Sequence, residues 1–278
     1  MFSLNCKGRI VSLESPVVMG IINATPDSFY QRFSSLERDK ILSAAEKMIK
    51  EGAVILDIGG QSTRPESKRL KVHEELERVI PVIHSIQNAF PDTILSIDTY
   101  FAEVAKEAVG IGVSIVNDIS AGMMDENMIS TVGDLNVPYI CMHMKGTPEN
   151  MQHAPVYDNI IDEMMSFFEN RINVCKNAGI KEIIIDPGFG FGKTITHNYQ
   201  LINKLNAFLS FNSPILVGLS RKRMVYNVLE TDANNALNGT TILNTIALLN
   251  GANILRVHDV KEAMETIKLI NMYKKNRQ

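Results

Sequence analysis

Short apolar runs recur along this chain, and each ends close to a polar group. They are VVMGII (17–22), AVILDI (53–58), ILSI (94–97), SIVND (114–118), PYICM (138–142), EIIID (182–186), PILVGL (214–219) and ANILRV (252–257). A strand that is apolar on both faces has both faces covered, as in a parallel sheet flanked by helices. The stretches between the runs carry helical spacing. Leu76, Val79, Ile80 and Ile83 fall on one face, with Pro81 expected to kink or start that helix. Ser34 and Glu37 resemble a capping box for a helix near 36–51. Leu243, Ile246, Ala247 and Leu248 mark another buried face. Eight strand–helix units predict an α/β chain forming one domain over residues 1–278, a single (β/α)8 TIM barrel. An open doubly wound sheet is the alternative.

The polar residues at the strand ends give this fold a function. In order they are Asn23, Asp57, Asp98, Asn117, His143, Asp186, Ser220 and Arg256, with Thr63, Arg64, Lys222 and His258 in the loops just beyond. In a barrel these ends converge on one face, where barrel enzymes build their sites. A single polar strand end is usually a helix cap. Eight polar ends together, six of them charged or amide, point to a site instead. Asp57 reads as a structural carboxylate, because the loop after it carries better candidates.

The stretch DPGFGFGKT (186–194) is the most specific. Asp186 closes a strand, three glycines alternate with Phe189 and Phe191, and Lys193 follows. This layout suits a flat ring with a polar edge: an anion for the edge, an aromatic wall for the face, and glycines that let backbone come close. Position 187 is proline and 193 is lysine, so neither the P-loop nor the dinucleotide spacing is met. The bland reading is a tight βα turn.

Composition narrows the partners. The chain is 45% apolar with net charge −3 and no basic block, which argues against nucleic acid. Cys6, Cys141 and Cys175 lie far apart in no CxxC or Cys/His cluster, so neither zinc nor a disulfide framework is expected, and the reducing cytoplasm fits. No apolar run approaches the roughly 18 residues of a membrane helix, so no membrane is expected. The 14 methionines are scattered and read as core filler. His73, His84 and His153 lie in polar, helical or loop contexts. His143 borders the site, and His197 reads as a helix start rather than a substrate contact.

The ordered motifs MGIINATPDSF (19–29), DIGGQSTRP (57–65), SIDT (96–99), VND (116–118), MHMKGTPENMQ (142–152), DPGFGFGK (186–193), GLSRK (218–222) and RVHDV (256–260) resemble the dihydropteroate synthase family. They cover nearly the whole chain. The resemblance implies a (β/α)8 barrel that condenses 6-hydroxymethyl-7,8-dihydropterin diphosphate with 4-aminobenzoate, with Mg2+ and as a homodimer. It implies pterin contacts from Asp98, Asn117, Asp186 and Lys222, in an apolar slot of Met142, Ile119, Gly218 and Phe191. Asn23, Arg64, Arg256 and His258 would hold the diphosphate, with Asn23 also on Mg2+, and Thr63, Pro65 and Ser220 would border the aminobenzoate. The arylamine is itself a nucleophile, so no catalytic serine or cysteine is needed.

The chain departs from the family pattern in two loops. Where the first usually continues SDGG, it has Tyr30, Gln31, Arg32 and Phe33. The second has Gln61 for the usual glutamate and Glu66 for the usual glycine. These changes touch loop geometry and leave the pterin and diphosphate positions unaltered. Alternatives are a silent pterin binder, favoured only by the first loop, and a pterin-dependent methyltransferase domain. The latter has no need for Arg64, GLSRK or RVHD.

Overall fold

The computed structural model describes residues 2–24, 35–61, 69–151 and 154–276. A hairpin opens the chain, with β1 (Ser3–Cys6) antiparallel to β2 (Arg9–Ser12). Lys7 and Gly8 turn it, both at positive φ (53° and 92°), the left-handed pair a tight hairpin needs. Then come β3 (Val17–Asn23), α1 (Ser35–Glu51), β4 (Ile55–Gly59), α2 (Val72–Ala89), β5 (Ile94–Asp98), α3 (Ala102–Gly110), β6 (Ile115–Asp118), α4 (Met128–Leu135) and β7 (Tyr139–Met142). The chain continues through α5 (Ile160–Asn177), β8 (Ile183–Asp186), α6 (Ile195–Asn203), β9 (Leu216–Val217), α7 (Arg223–Tyr226), α8 (Leu237–Leu249), β10 (Ile254–Val257) and α9 (Val260–Lys275).

Among the described residues, β3 to β10 form one parallel sheet in the order β8-β7-β6-β5-β4-β3-β10-β9. A parallel bridge from Ile185 to Ile215 joins the two ends, so the sheet closes into the expected (β/α)8 barrel. The open doubly wound alternative is excluded. Strand β9 is much shorter than the apolar run 214–219 that encodes it.

Side chains alternate across a strand, so every second residue points into the barrel. At the N-terminal end that inward row is aliphatic: Met19, Ile55, Ile94, Ile115, Ile140, Ile184, Leu216 and Ile254 pack together. The opening hairpin plugs this end with Leu4, Cys6 and Val11. Its backbone is pinned where Asn5 N–H donates to Glu182 Oε1 (2.7 Å) and Lys7 Nζ donates to the Val109 carbonyl (2.8 Å). This hairpin has no counterpart in the strand pattern, because its strands are four residues long and half polar. Two residues further along, the same inward row reads Ile21, Asp57, Ser96, Asn117, Met142, Asp186, Gly218 and Arg256, polar on five of the eight strands.

The helices are set by local chemistry. Asn159 caps α5 by accepting from the Ile161 and Asp162 N–H groups, and Thr194 with His197 forms a capping box on α6. His197 thus serves the helix start it was expected to serve. Ser34, half of the capping box expected before α1, lies outside the described residues. Pro81 does not start a helix: α2 begins at Val72, where the Lys71 N–H donates to Glu74 Oε2 (2.7 Å), and runs through the proline. The apolar stripe of α2 outweighs the single backbone bond lost at Pro81.

Glu75 in α2 is fully buried, and among the described residues neither carboxyl oxygen has a hydrogen-bond partner. Burial pushes its carboxyl up to about 7, and the Asp98 charge adds to this; the Thr99 hydroxyl opposes the shift without bonding either oxygen. Between the ordinary value of 4.5 and about 7 the folded protein keeps a proton that the unfolded chain has lost. Stability contributed here is present at low pH and lost as pH rises through 7. Glu75→Gln, which mimics the protonated acid, is expected to be more stable than the parent at pH 8, on the order of 3 kcal/mol. Urea melts should show that difference vanishing near pH 4.5.

Candidate active site

The polar inward row meets at Arg256. Its Nε donates to Asp57 Oδ2 at 2.7 Å and its Nη2 to Asp98 Oδ2 at 2.6 Å. Asp57 Oδ2 also accepts from Asn117 Nδ2 at 2.9 Å. A carboxylate only accepts, so the Asn117 amide nitrogen must face it, leaving the amide oxygen for a ligand. Asp57 therefore is the structural carboxylate expected, and it sits at the centre of the site, orienting both Asn117 and Arg256. Its position in the inward row was the signal for this.

Asp186 closes β8 with Oδ1 accepting from the Gly188 N–H at 2.8 Å. Burial raises the carboxyl above its usual range, opposed by the Lys222 charge and the Gly188 N–H. Burial likewise lifts Asp98 to about 7, opposed by Arg256 and reinforced by Asp57, Asp118 and Asp186. Burial pushes Lys222 down to about 8, with Asp186 working against it. Its Nζ donates to the Phe189 carbonyl (2.6 Å) and lies over the Phe191 ring, 4.8 Å from the centroid. A Cβ on Gly218 would meet that Nζ at 3.6 Å, an ordinary contact distance, so Gly218 lines the ammonium's site closely. Among the described residues, three carboxyl groups (Asp57, Asp98, Asp186) thus face two cations (Arg256, Lys222).

Met142 and Ile119 are buried and Phe191 is half-buried beside this group. Phe189 belongs to the core, so only Phe191 can act as the aromatic wall expected of both. At the rim, Ser220 Oγ lies 3.0 Å from His258 Nδ1. The confined setting lowers the exposed His258 to about 4, and the Arg256 charge adds to this. Asn23 is exposed at the end of β3. Thr63, Arg64 and Pro65, and the altered first-loop positions Tyr30, Gln31, Arg32 and Phe33, lie outside the described residues. Gln61, at the edge of the second loop, accepts from the Leu70 N–H (3.3 Å), a role a glutamate oxygen could also fill.

The glycine-rich loop differs from its expected use. Gly188, Gly190 and Gly192 all have positive φ (66°, 83° and 61°). A Cβ on Gly188 would collide with the His143 carbonyl oxygen, and one on Gly192 with that of Lys145. These two glycines admit the neighbouring β7 loop rather than a ligand. Lys193 turns inward and is buried, donating to the carbonyls of His143 (3.2 Å), Gly188 (2.9 Å) and Phe191 (2.9 Å). It also lies 3.0 Å from His143 Nδ1. Burial holds Lys193 well below the ordinary lysine range, and burial with the Lys193 charge drives His143 to about 2. His143 is therefore neutral and supports the loop from behind.

The chain matches the family model for pterin binding enzymes over residues 19–258. It is 42% identical to the dihydropteroate synthase of Haemophilus influenzae, over 96% of this chain and 97% of that one. Its fold superposes on the Yersinia pestis dihydropteroate synthase solved with a sulfonamide drug with a TM-score of 0.93, at 39% identity over 99% and 100% of the two chains. The Xanthomonas albilineans dihydropteroate synthase solved with 4-aminobenzoic acid gives a TM-score of 0.91, at 37% identity over 99% of each. The chain therefore belongs to the pterin-binding enzyme family, and within it to the dihydropteroate synthases, which are transferases.

The loop geometry gives a direct comparison of two glycines. Gly188→Ala and Gly190→Ala both place a side chain at positive φ, at about 1 kcal/mol or more each. Only Gly188→Ala also meets backbone; near Gly190 a Cβ would touch Lys222 Cδ at 3.4 Å. Urea denaturation is expected to find Gly188→Ala the less stable by about 1–3 kcal/mol.

Proposed function

We propose that this protein joins 6-hydroxymethyl-7,8-dihydropterin diphosphate to 4-aminobenzoate, giving 7,8-dihydropteroate and diphosphate. The observation that carries the reading is the Asp57–Arg256–Asp98 cluster with Asn117 and Asp186, all on the inward row of one barrel mouth. A pterin offers a ring N–H and an exocyclic amine side by side. Asp186 has one oxygen on the Gly188 N–H and a second for that edge. The amide oxygen of Asn117 takes a ring donor, and Lys222 lies near the pterin carbonyl. Met142, Ile119, Gly218 and Phe191 bound the ring.

The pterin CH2–O bond breaks as diphosphate leaves, and the electron-rich ring takes up the positive charge. The anionic excess of Asp98 and Asp186 stabilises that charge. The arylamine nitrogen then forms the new C–N bond and releases a proton. Arg64, Arg256 and His258 hold the diphosphate, while Thr63, Pro65 and Ser220 border the aminobenzoate. Arg256 already binds two carboxylates, so it serves the diphosphate with its remaining guanidinium donors.

For Mg2+ the donor set is suitable. Among the described residues no group of three His, Cys, Asp or Glu could hold a metal unaided, whereas Asn23 stands exposed at the mouth. Mg2+ commonly takes few protein ligands and several phosphate oxygens. Asn23 would hold it by the amide oxygen, and the ion would neutralise charge on the diphosphate.

We further propose a cytoplasmic homodimer. Cys6, Cys141 and Cys175 are free and buried, and no helix of the described residues is long and apolar enough to cross a membrane. Ile242, Ile246 and Leu249 of α8 form an exposed apolar stripe beside Leu269, Met272 and Tyr273 of α9. A patch of this kind marks an interaction surface. Ile246→Asp is expected to shift the protein from dimer to monomer in sedimentation velocity.

The purified protein, given both substrates and Mg2+, is expected to form dihydropteroate and diphosphate, to stop on chelation and to resume when Mg2+ is restored. Asp186→Ala should weaken pterin binding by about one to two powers of ten. Lys222→Ala should lower turnover by roughly 10²–10³. Intact pterin binding with no turnover would sink the reading.

A further inference from the structure

The loops after β9 and β10 are joined by two rungs, formed by consecutive residues on each side. Ser220 pairs with His258 in the mouth, where Ser220 Oγ also accepts from the His258 N–H at 3.3 Å. Arg221 pairs with Asp259 behind it, with Nε on Oδ2 at 2.8 Å and Nη2 on Oδ1 at 2.9 Å. This is the bidentate fork that gives a guanidinium–carboxylate pair its directionality. Arg221 Nη1 donates to the carbonyls of Ala233 (2.8 Å) and Asn234 (2.6 Å), and its N–H to Thr240 Oγ1 (3.1 Å). One side chain therefore ties together the β9 loop, the α7–α8 connection and the start of α9.

Two features mark this as more than a surface ion pair. Arg221 has φ of 53°, a left-handed conformation that a long side chain adopts at a cost of about 1–3 kcal/mol and that persists only where its surroundings hold it. Asp259 stands at the N-cap of α9 yet makes no cap bond, since its carboxylate faces Arg221. Both residues give up a local preference to keep the fork. The left-handed residue directly follows Ser220, so the turn it makes sets where Ser220 goes, whereas Lys222 Nζ is held separately on the Phe189 carbonyl. Neither Arg221 nor Asp259 bonds a residue of the Arg256 cluster.

We propose that Arg221 and Asp259 form a latch, a pair of positioning residues that set Ser220 and His258 for the reaction without touching substrate. The proposal rests on the synthase reading. Its main effect falls on the rim, where aminobenzoate and diphosphate meet Ser220 and His258. The Asp186–Asn117 grip on the pterin ring is held separately, by Gly188 and Asp57.

The test measures steady-state kinetics of the whole enzyme with Arg221→Ala, Arg221→Lys, Asp259→Ala, Asp259→Asn, Asp259→Glu and the double Arg221→Ala/Asp259→Ala. Binding of 6-hydroxymethylpterin, which lacks the diphosphate, is measured alongside. Asp259→Ala is expected to raise the KM for aminobenzoate and for the pterin diphosphate about tenfold or more, with pterin affinity unchanged within about twofold. Asp259→Glu should recover part of the loss and Arg221→Lys should not, because lysine has no fork. The double variant should lose no more than its worse single variant. Should Asp259→Ala fail to fold, Asp259→Asn carries the same comparison. A latch variant that loses only thermal stability, with both KM values within twofold, overturns the proposal. So does equal loss of pterin affinity, which would mean general collapse. A parent enzyme without turnover overturns the synthase reading and the latch together, whereas turnover unaffected by Asp259→Asn and Asp259→Ala overturns the latch alone.

Discussion

A strand in a closed barrel can send only every second side chain inside. In this protein that constraint assigns both the foundation and the site. From Ile55 to Asp57, from Ile115 to Asn117, from Ile184 to Asp186 and from Ile254 to Arg256, the same inward row turns from aliphatic to polar over one pleat. The aliphatic end fuses the barrel into a rigid plug, sealed by the opening hairpin. The polar end inherits that rigidity. A shift of one residue in any strand would put its functional group among the helices and an aliphatic residue in the mouth.

Rigid placement matters because the mouth concentrates charge. Asp57, Asp98 and Asp186 stand with Arg256 and Lys222 where burial disfavours every ionised form. Such a group survives only when each charge has a close partner. Asp57 meets this need by holding Asn117 and Arg256 with one oxygen. Its other oxygen is buried without a partner. Function here draws on an arrangement that would be a liability in a purely structural core.

The loops after β7, β8 and β9 are tied to their neighbours largely through backbone groups. Lys193 gathers three carbonyls into one buried ammonium, and Gly188 and Gly192 let the β7 and β8 loops touch backbone to backbone. Arg221 does similar work in the adjacent loop after β9. Each cation satisfies carbonyls that a tight loop would otherwise leave unpaired. Phe191 and Lys222 are carried on this frame, with Lys222 Nζ donating to the Phe189 carbonyl.

Much of this was legible in the sequence. The eight apolar runs encode the barrel because burial of both strand faces leaves no room for polar alternation, and the polar residue closing each run locates the mouth. Asp98, Asn117, Asp186 and Arg256 could be picked out by position alone, and the ordered motifs named the family. The short hairpin escaped notice because strands of four half-polar residues carry no such pattern. Other features depended on tertiary structure. Which glycines face a ligand and which face a neighbouring loop, that Phe189 belongs to the core, that Lys193 points inward, and that Arg221 reaches Asp259 38 residues away are all decided by how separate loops meet. Sequence periodicity reports which face of an element is buried. It does not report which distant backbone or charge will lie against that face, because those partners are set only when the barrel closes.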